Sequence, residues 1–196
     1  MDKLSHKART RQRILDEAAR VMRECGTESI GVASLMKRVG LTHGGFYAHF
    51  DSREALVQAV IAEMFTDSTQ RMQPLWQQSD PAERLNTLID YYLSETHRDS
   101  PAEGCPMPAL VSEVGHLPDE AKAIFTLGVA SILQRLSELL AELGQREAEA
   151  LASSLLAEMV GALALARACP DKALSATMLA RSRQALKRRT GLERAA

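Results

Sequence analysis

Cysteine is scarce in this 196-residue chain: Cys25, Cys105 and Cys169 are an odd number at wide spacing. That excludes a disulfide framework and a cysteine-based metal site, and it suits a reducing compartment. Aromatic side chains are also few, 4% of residues with a single tryptophan, so a large aromatic cage is not expected. No apolar run approaches the roughly twenty residues that cross a bilayer, and residues 1–13 are too polar to supply the apolar core of a signal peptide. A cytoplasmic protein without a membrane partner is therefore expected. No glycine-rich phosphate loop, metal-ligand pair or paired-carboxylate motif occurs. No catalytic residue, metal or cofactor is expected. Alternating β patterns, internal repeats and low-complexity tracts are missing too, although residues 139–168 are rich in Ala and Leu.

What remains is 45% hydrophobic sequence with seven prolines, enough for a substantial core and too apolar for a disordered tail. The periodicity is helical almost everywhere, which predicts an all-α chain. A first helix is expected from about Ser5 to Cys25, with Ile14, Ala18, Val21, Met22 and Cys25 on its inner stripe and Gly26 ending it. Asp51 or Ser52 caps a longer helix carrying Leu56, Val60, Met64 and Phe65 toward Met72; Asp51 and Glu54 have capping-box spacing. Further helices are expected at about 81–98, 107–115, 119–143, 146–168 and 172–189, separated by Pro81, the Pro101–Pro108 segment, Pro118, Gly144 and Pro170. The total, with two short helices between residues 30 and 50, is about nine.

Those two short helices are the informative part. Val32, Leu35, Met36 and Val39 recur at three- and four-residue intervals and so share one helix face. Gly40 can take the left-handed conformation that closes a helix, and Thr42 can cap the next with its hydroxyl. In the second helix Phe46 and Phe50 lie one turn apart and pack inward. His43, Gly44, Tyr47 and the edge of His49 are left turned outward. This is the spacing of a helix-turn-helix whose second member enters a major groove. Adjacent glycines in a helix cost about 1 kcal/mol each relative to alanine. Close approach to phosphates or base edges is one compensation, and the phenol of Tyr47 and the imidazoles of His43 and His49 can donate there. The competing reading is an ordinary turn between two core helices.

Charge is distributed accordingly. Residues 1–50 hold nine Lys and Arg against five Asp and Glu, whereas the remainder holds fifteen against twenty. Only the N-terminal quarter is built to meet a polyanion. Within it Lys3, Lys7, Arg9, Arg11 and Arg13 form a basic arm that reaches phosphates or is simply solvated.

Over about fifty residues the chain resembles the TetR-type transcriptional regulators of bacteria. The resemblance is carried by Gly26, Leu35, Gly40, Leu41, Thr42, Gly44, Phe46, Tyr47, His49, Phe50, Ser52, Arg53, Glu54 and Leu56. It implies that Thr42, His43, Gly45, Tyr47 and His49 face DNA and that Arg53 stands where the family usually has a phosphate-contacting lysine. Ile30 and Gly31 replace the hydroxyl residue that usually opens the first motif helix, and Gly45 replaces a more usual Thr or Ser. By resemblance, residues 1–50 form a three-helix DNA-binding head and residues 51–196 a larger ligand-binding and dimerisation body. The implied function is a repressor of transcription on a pseudo-palindromic double-stranded operator, released by a small-molecule effector. The last two helices, 146–168 and 172–189, would form a four-helix bundle with a second copy.

The residues themselves also support a homodimer. Leu151, Leu155, Met159, Ala162 and Ala166 make an apolar stripe, and Ala152, Leu156, Leu163 and Ser153, Gly161, Leu165 spread apolarity nearly all round the helix. Leu174, Met178, Leu179 and Leu186 would line the second dimer helix. The alternative is an internal core helix of a monomer. Two joined heads suit half-sites in successive major grooves.

For the effector, Trp76, Tyr91, Tyr92, Met107, His116 and Phe125 are candidate pocket residues, each with plain core as its competing role. Cys105 is the sharper lead. It precedes a helical pattern, and a thiol at a helix N-terminus can have its pKa lowered. A sensing thiol whose modification releases DNA is thus expected, against a structural cysteine packed beside prolines. A helical thiol enzyme using Cys105 and His116 is the rival from another class, without a spacing signature to support it. An activator or architectural factor is the rival among DNA-binding proteins.

Overall fold

The structure is a computed structural model in which residues 5–192 are described; Lys3, expected in the basic arm, lies outside them. Helix α1 (His6–Cys25) starts at Ser5, whose hydroxyl accepts from the Ala8 N–H at 3.2 Å, and closes at Gly26, where φ is 82°. Ile14, Leu15, Ala18, Ala19, Val21 and Met22 are buried. The inner stripe ends there: Arg23 is the buried residue of the last turn, and Cys25, expected inside, is exposed.

Helix α2 (Val32–Arg38) buries Leu35 and Met36 and opens on Gly31 without a side-chain cap. Gly40 closes it with φ 71°, and the Leu41 N–H reaches back to the Met36 carbonyl at 2.8 Å. The segment His43–Ala48 is a 3-10 helix, not the α-helix expected, and the Thr42 hydroxyl makes no capping bond. Six residues containing two glycines are too few and too flexible to sustain α-helical bonding, and the tighter winding serves short pieces.

Helix α3 (Arg53–Trp76) is capped by Ser52, not Asp51, through the Ala55 N–H at 3.1 Å, and continues past Met72 with Pro74 inside its last turn. Helix α4 (Pro81–Tyr92) starts at Asp80. The single helix expected over 81–98 breaks at Leu93 and Ser94, because the Ser94 hydroxyl accepts from the His97 N–H at 3.0 Å and starts a new helix, α5 (Glu95–Asp99). Then follow α6 (Met107–Val114), α7 (Asp119–Glu142), α8 (Ala148–Ala168) and α9 (Lys172–Arg189), with further 3-10 turns at Thr27–Ser29 and Pro101–Glu103. Among the described residues there are nine α-helices and no strand. The count equals the expectation by compensation: one motif helix became 3-10, and one body helix became two.

Helices α1 and α2 and the 3-10 segment wrap one apolar cluster that contains Ile14, Met22, Met36 and Phe46. Helix α3 packs on α1 at one end and on α7 at the other. The α3–α7 approach is close, since a Cβ at Gly128 would stand 2.5 Å from the Phe65 ring, which meets Phe125 edge-on at 5.5 Å between centroids. Helices α7 and α8 are long and apolar enough to cross a bilayer by composition, which whole-sequence inspection did not suggest. Here they pack on each other, and α8 also packs on α9.

The stripe expected at a dimer interface mostly faces inward. Leu155, Met159, Ala166, Leu179 and Leu186 are buried within the chain and Leu151 is half-buried. The outer face carries Ser154, Ala157, Leu165 and Leu174, the two leucines being 60% and 50% exposed. Nearly uniform apolarity around α8 concealed which side its own chain covers.

Polar contacts bind the N-terminal helices to the body, among them Gln12 of α1 donating to Glu63 of α3 at 2.7 Å. The Glu113 carboxylate of α6 accepts from both the backbone N–H and the hydroxyl of Thr27, at 2.6 and 2.7 Å. Arg23 pairs with Asp67 of α3 at 2.8 Å and donates to the Met64 and Ala102 carbonyls.

Candidate nucleic-acid interface and internal cavity

Phe46 is 1% exposed and stacks on Phe50 at 5.6 Å, so the 3-10 segment is pinned by its inner side. Thr42, His43, Gly44 and Ala48 are exposed, and Tyr47 is 63% exposed, with its ring edge-on to His43 at 6.1 Å. The two glycines have no internal reason. A Cβ at Gly44 would meet nothing within 4 Å, and at Gly45 only ordinary contacts with Thr42 and Met36. Neither has a positive φ. The fold tolerates side chains here, so what the glycines keep clear is the outer surface.

His49 is half-buried, less outward than expected. Its Nδ1 is buried without a hydrogen-bond partner. Burial first, then the charges of Lys7, Arg11 and His6, hold its pKa below the usual histidine value. Those cations come from α1, and the Arg11 guanidinium lies over the Phe50 ring at 4.8 Å. Helix α1 thus brings positive charge beside the motif, a convergence that the sequence did not reveal. Arg13 is spent otherwise, donating to the Val39 carbonyl at 2.7 Å. Arg53 likewise braces the head: it donates to the Ile30 and Thr27 carbonyls at 3.1 and 2.9 Å and lies 3.5 Å from Glu28. In that geometry its guanidinium is engaged inside the molecule, whereas exposed Lys37 on α2, which sequence reasoning passed over, stands beside the turn.

In the body, α3, α4, α6, α7 and α8 border a cleft that is partly open to solvent. Trp76, Tyr91, Tyr92, Cys105 and Met107, five of the expected pocket residues, line it together with Met72, Leu136 and Met159. His116 and Phe125 do not: His116 is exposed beyond the end of α6, and Phe125 is packed on Phe65. Arg71, tied to Glu103 at 3.3 Å, and Arg135 stand among the lining residues, as do Ser68 and Thr69.

The cleft's polar end was not foreseen. His97 is 4% exposed, with Nδ1 2.8 Å from the Tyr92 carbonyl and Nε2 accepting the Cys105 N–H at 3.2 Å. The ring is therefore neutral with both nitrogens engaged, and burial lowers its pKa to about 4. Gly104 allows this contact, because a Cβ there would stand 2.9 Å from Nε2. Cys105 corrects an expectation. The thiol is buried beside Tyr92, and desolvation pushes its pKa up where a helix terminus was expected to lower it. The helix N-terminus is there, but removal from water outweighs it.

Comparison with known proteins agrees with this architecture. The model for bacterial regulatory proteins of the tetR family matches residues 14–60, and that for a tetracyclin repressor-like C-terminal domain matches residues 81–186. The chain is 29% identical over 91 residues to the HTH-type transcriptional regulator YvdT of Bacillus subtilis, covering 45% of this chain and 47% of YvdT. It is 25% identical over 134 residues to the HTH-type transcriptional repressor NemR of Escherichia coli, 67% of each protein. The match therefore spans about half of YvdT and two thirds of NemR. A TetR-family structure from Agrobacterium tumefaciens superposes with a TM-score of 0.80 at 25% identity, covering 93% of this chain and 98% of that one. The reduced form of E. coli NemR has the same fold, with a TM-score of 0.80 at 22% identity, covering 92% and 96%. With a C-terminal model spanning more than half of its residues and an N-terminal model on its helix-turn-helix, the chain belongs to the TetR family of bacterial transcriptional regulators.

Proposed function

We propose that this protein is a cytoplasmic, homodimeric repressor that holds a DNA operator through Thr42, His43, Gly44, Gly45 and Tyr47 and releases it when a small molecule occupies the cleft of its body. The observation that carries the DNA-binding reading is the bare outer face of residues 42–48, where two glycines unneeded by the fold leave room for a duplex. Cations from α1 and Lys37 flank that face and suit phosphate contact. Arg53 acts by positioning the motif. Dimerisation would use the outward residues of α8 and α9, chiefly Leu165, Leu174 and the small residues Ser154 and Ala157.

Signal transfer has two material routes. The C-terminal half of α3 supplies Ser68, Thr69, Arg71, Met72 and Trp76 to the cleft, and its N-terminal half packs against α1. Helix α6 begins with Met107 in the cleft and holds Thr27 through Glu113. A ligand that shifts either helix changes the angle of the head, and in a dimer the separation of two heads.

The test is binding of the purified protein to DNA from upstream of its own gene across a salt series. Tight, salt-sensitive binding supports the reading, and its absence removes autoregulation and calls for an unbiased genomic selection. Tyr47→Phe should lower affinity and reduce the salt slope, and substitution of His43 should change sequence preference. Unchanged affinity in both would mean that another face meets DNA.

A sensing thiol is the second reading, favoured by the position of Cys105 in the cleft wall. Its raised pKa makes reaction slow at neutral pH. Loss of operator binding on treatment with an electrophile, retained in Cys105→Ser, would eliminate the thiol route.

A further inference from the structure

The cleft contains one unfinished hydrogen-bonding group. Tyr92 is 7% exposed, and its hydroxyl is buried with no hydrogen-bond partner among the described residues. Leaving a buried hydroxyl unpaired costs stability, and a binding site is a place where that cost is recovered on occupation. The neighbouring polar groups satisfy it only weakly. Both nitrogens of His97 are engaged, one with the Tyr92 carbonyl and one with the Cys105 N–H. The Cys105 thiol beside it is a weak donor and weak acceptor.

Behind this end of the cleft stands Arg167, which donates to the His97 and Arg98 carbonyls at 2.8 and 3.3 Å and makes no ion pair among the described residues. It does not line the cleft. Positive charge on that side favours the hydroxyl with its oxygen toward the guanidinium and its proton away from it, which suits the phenol to donating. Most of the remaining lining is apolar, with Leu88, Ile132, Leu136, Leu156, Met159 and Trp76, although Ser68, Thr69, Arg71 and Arg135 also border the cleft.

We infer that the effector is a flat, apolar molecule bearing a hydrogen-bond-accepting oxygen, such as a carbonyl, which the Tyr92 hydroxyl receives at the buried end of the cleft. This rests on the reading of the cleft as the effector site. Tyr92 is then the residue that selects among apolar molecules of equal size. A site built around a donor discriminates against the analogue that lacks the acceptor, because the donor stays unpaired.

Trp76 is the only tryptophan in the chain and lines the cleft, so its fluorescence reports occupation directly. The probes are 2-acetylnaphthalene and 2-ethylnaphthalene, nearly equal in shape, of which only the first carries an acceptor. Neither alkylates thiols, so Cys105 chemistry does not enter. The expected result is that the wild-type protein binds the ketone roughly tenfold more tightly than the hydrocarbon, and that Tyr92→Phe abolishes or reverses the preference. Equal affinities in the wild-type protein, or a preference that survives in Tyr92→Phe, would overturn the assignment. The wild-type comparison stands alone should the variant fold poorly. If neither probe binds, the cleft is not a site for flat apolar molecules and the inference falls together with the cleft reading, whereas operator binding measured on the same sample shows whether the DNA-binding reading survives.

Discussion

The head and the cleft are built on opposite principles. In the head, cationic side chains are used to tie the chain to itself: Arg13 holds the Val39 carbonyl and Arg53 holds those of Ile30 and Thr27. Its outer face is left bare. In the cleft the surplus is internal, with a tyrosine hydroxyl that has no strong partner and a thiol desolvated beside it. A surface that meets a large, hydrated polyanion can keep its functional groups in water until contact, whereas a site for a small apolar ligand must hold them dry beforehand. The difference sets a head braced by internal hydrogen bonds against a cleft whose polar groups are held with weak partners.

The largest test of that contrast is to break the rigid side. Phe46→Ala removes a fully buried ring and should destabilise the head by about 3–5 kcal/mol, abolishing operator binding. Hydrogen exchange should show protection lost in α1 and α2 before the body opens. Equal loss everywhere would mean that head and body unfold as one unit.

Acidification should strike the other side. His97 has a folded pKa of about 4 against an ordinary value of 6.5, so the unfolded chain binds its proton first. Its contribution is complete above pH 6.5 and is lost as pH falls toward 4, a total of roughly 3 kcal/mol. Chemical denaturation at pH 7 and pH 4.5 should reveal this loss, and His97→Gln should flatten it. A variant that keeps the full pH dependence would assign it to other groups.

The coupling between the two regions comes next. Glu113→Ala leaves the Thr27 N–H and hydroxyl without their shared acceptor, at a cost of about 1–3 kcal/mol. Operator affinity should then respond less to a cleft ligand, as seen by titrating DNA with and without 2-acetylnaphthalene. An undiminished response would leave α3 as the sole route.

The smallest effect is the sharpest in sign. Gly44→Ala adds a methyl where nothing lies within 4 Å and φ is not positive, so stability should rise by about 0.4–1 kcal/mol. Operator affinity should nevertheless fall, because the same methyl faces the duplex. Higher melting temperature with unchanged binding would show that Gly44 is not at the interface.

Local chemistry explains which of these features were legible in advance. Gly26 and Gly40 end their helices with positive φ as their positions required, and Phe46 and Phe50 turned inward as their spacing required. Ser94 breaks a helix by a hydroxyl cap that a serine inside an apolar pattern does not announce. Arg53 was expected on phosphate because its neighbours match a motif, but which atoms a long flexible side chain reaches depends on loops 23 and 26 residues away. Cys105 and Met107 lie in the cleft wall, whereas His116, eleven residues after Cys105, is carried out to solvent by a helix of only eight residues.

The amino-acid sequence by itself determined the all-α class, the turn between the two motif helices, the inward pair of phenylalanines and the charge bias of the N-terminal quarter. Each is a short-range consequence of periodicity, glycine conformation or composition. Tertiary structure decided which side of α8 is covered, that burial outweighs a helix terminus at Cys105, and that Tyr92, His97 and Cys105 converge on one cleft end. Those outcomes depend on desolvation and long-range contact, and both are properties of the assembled chain.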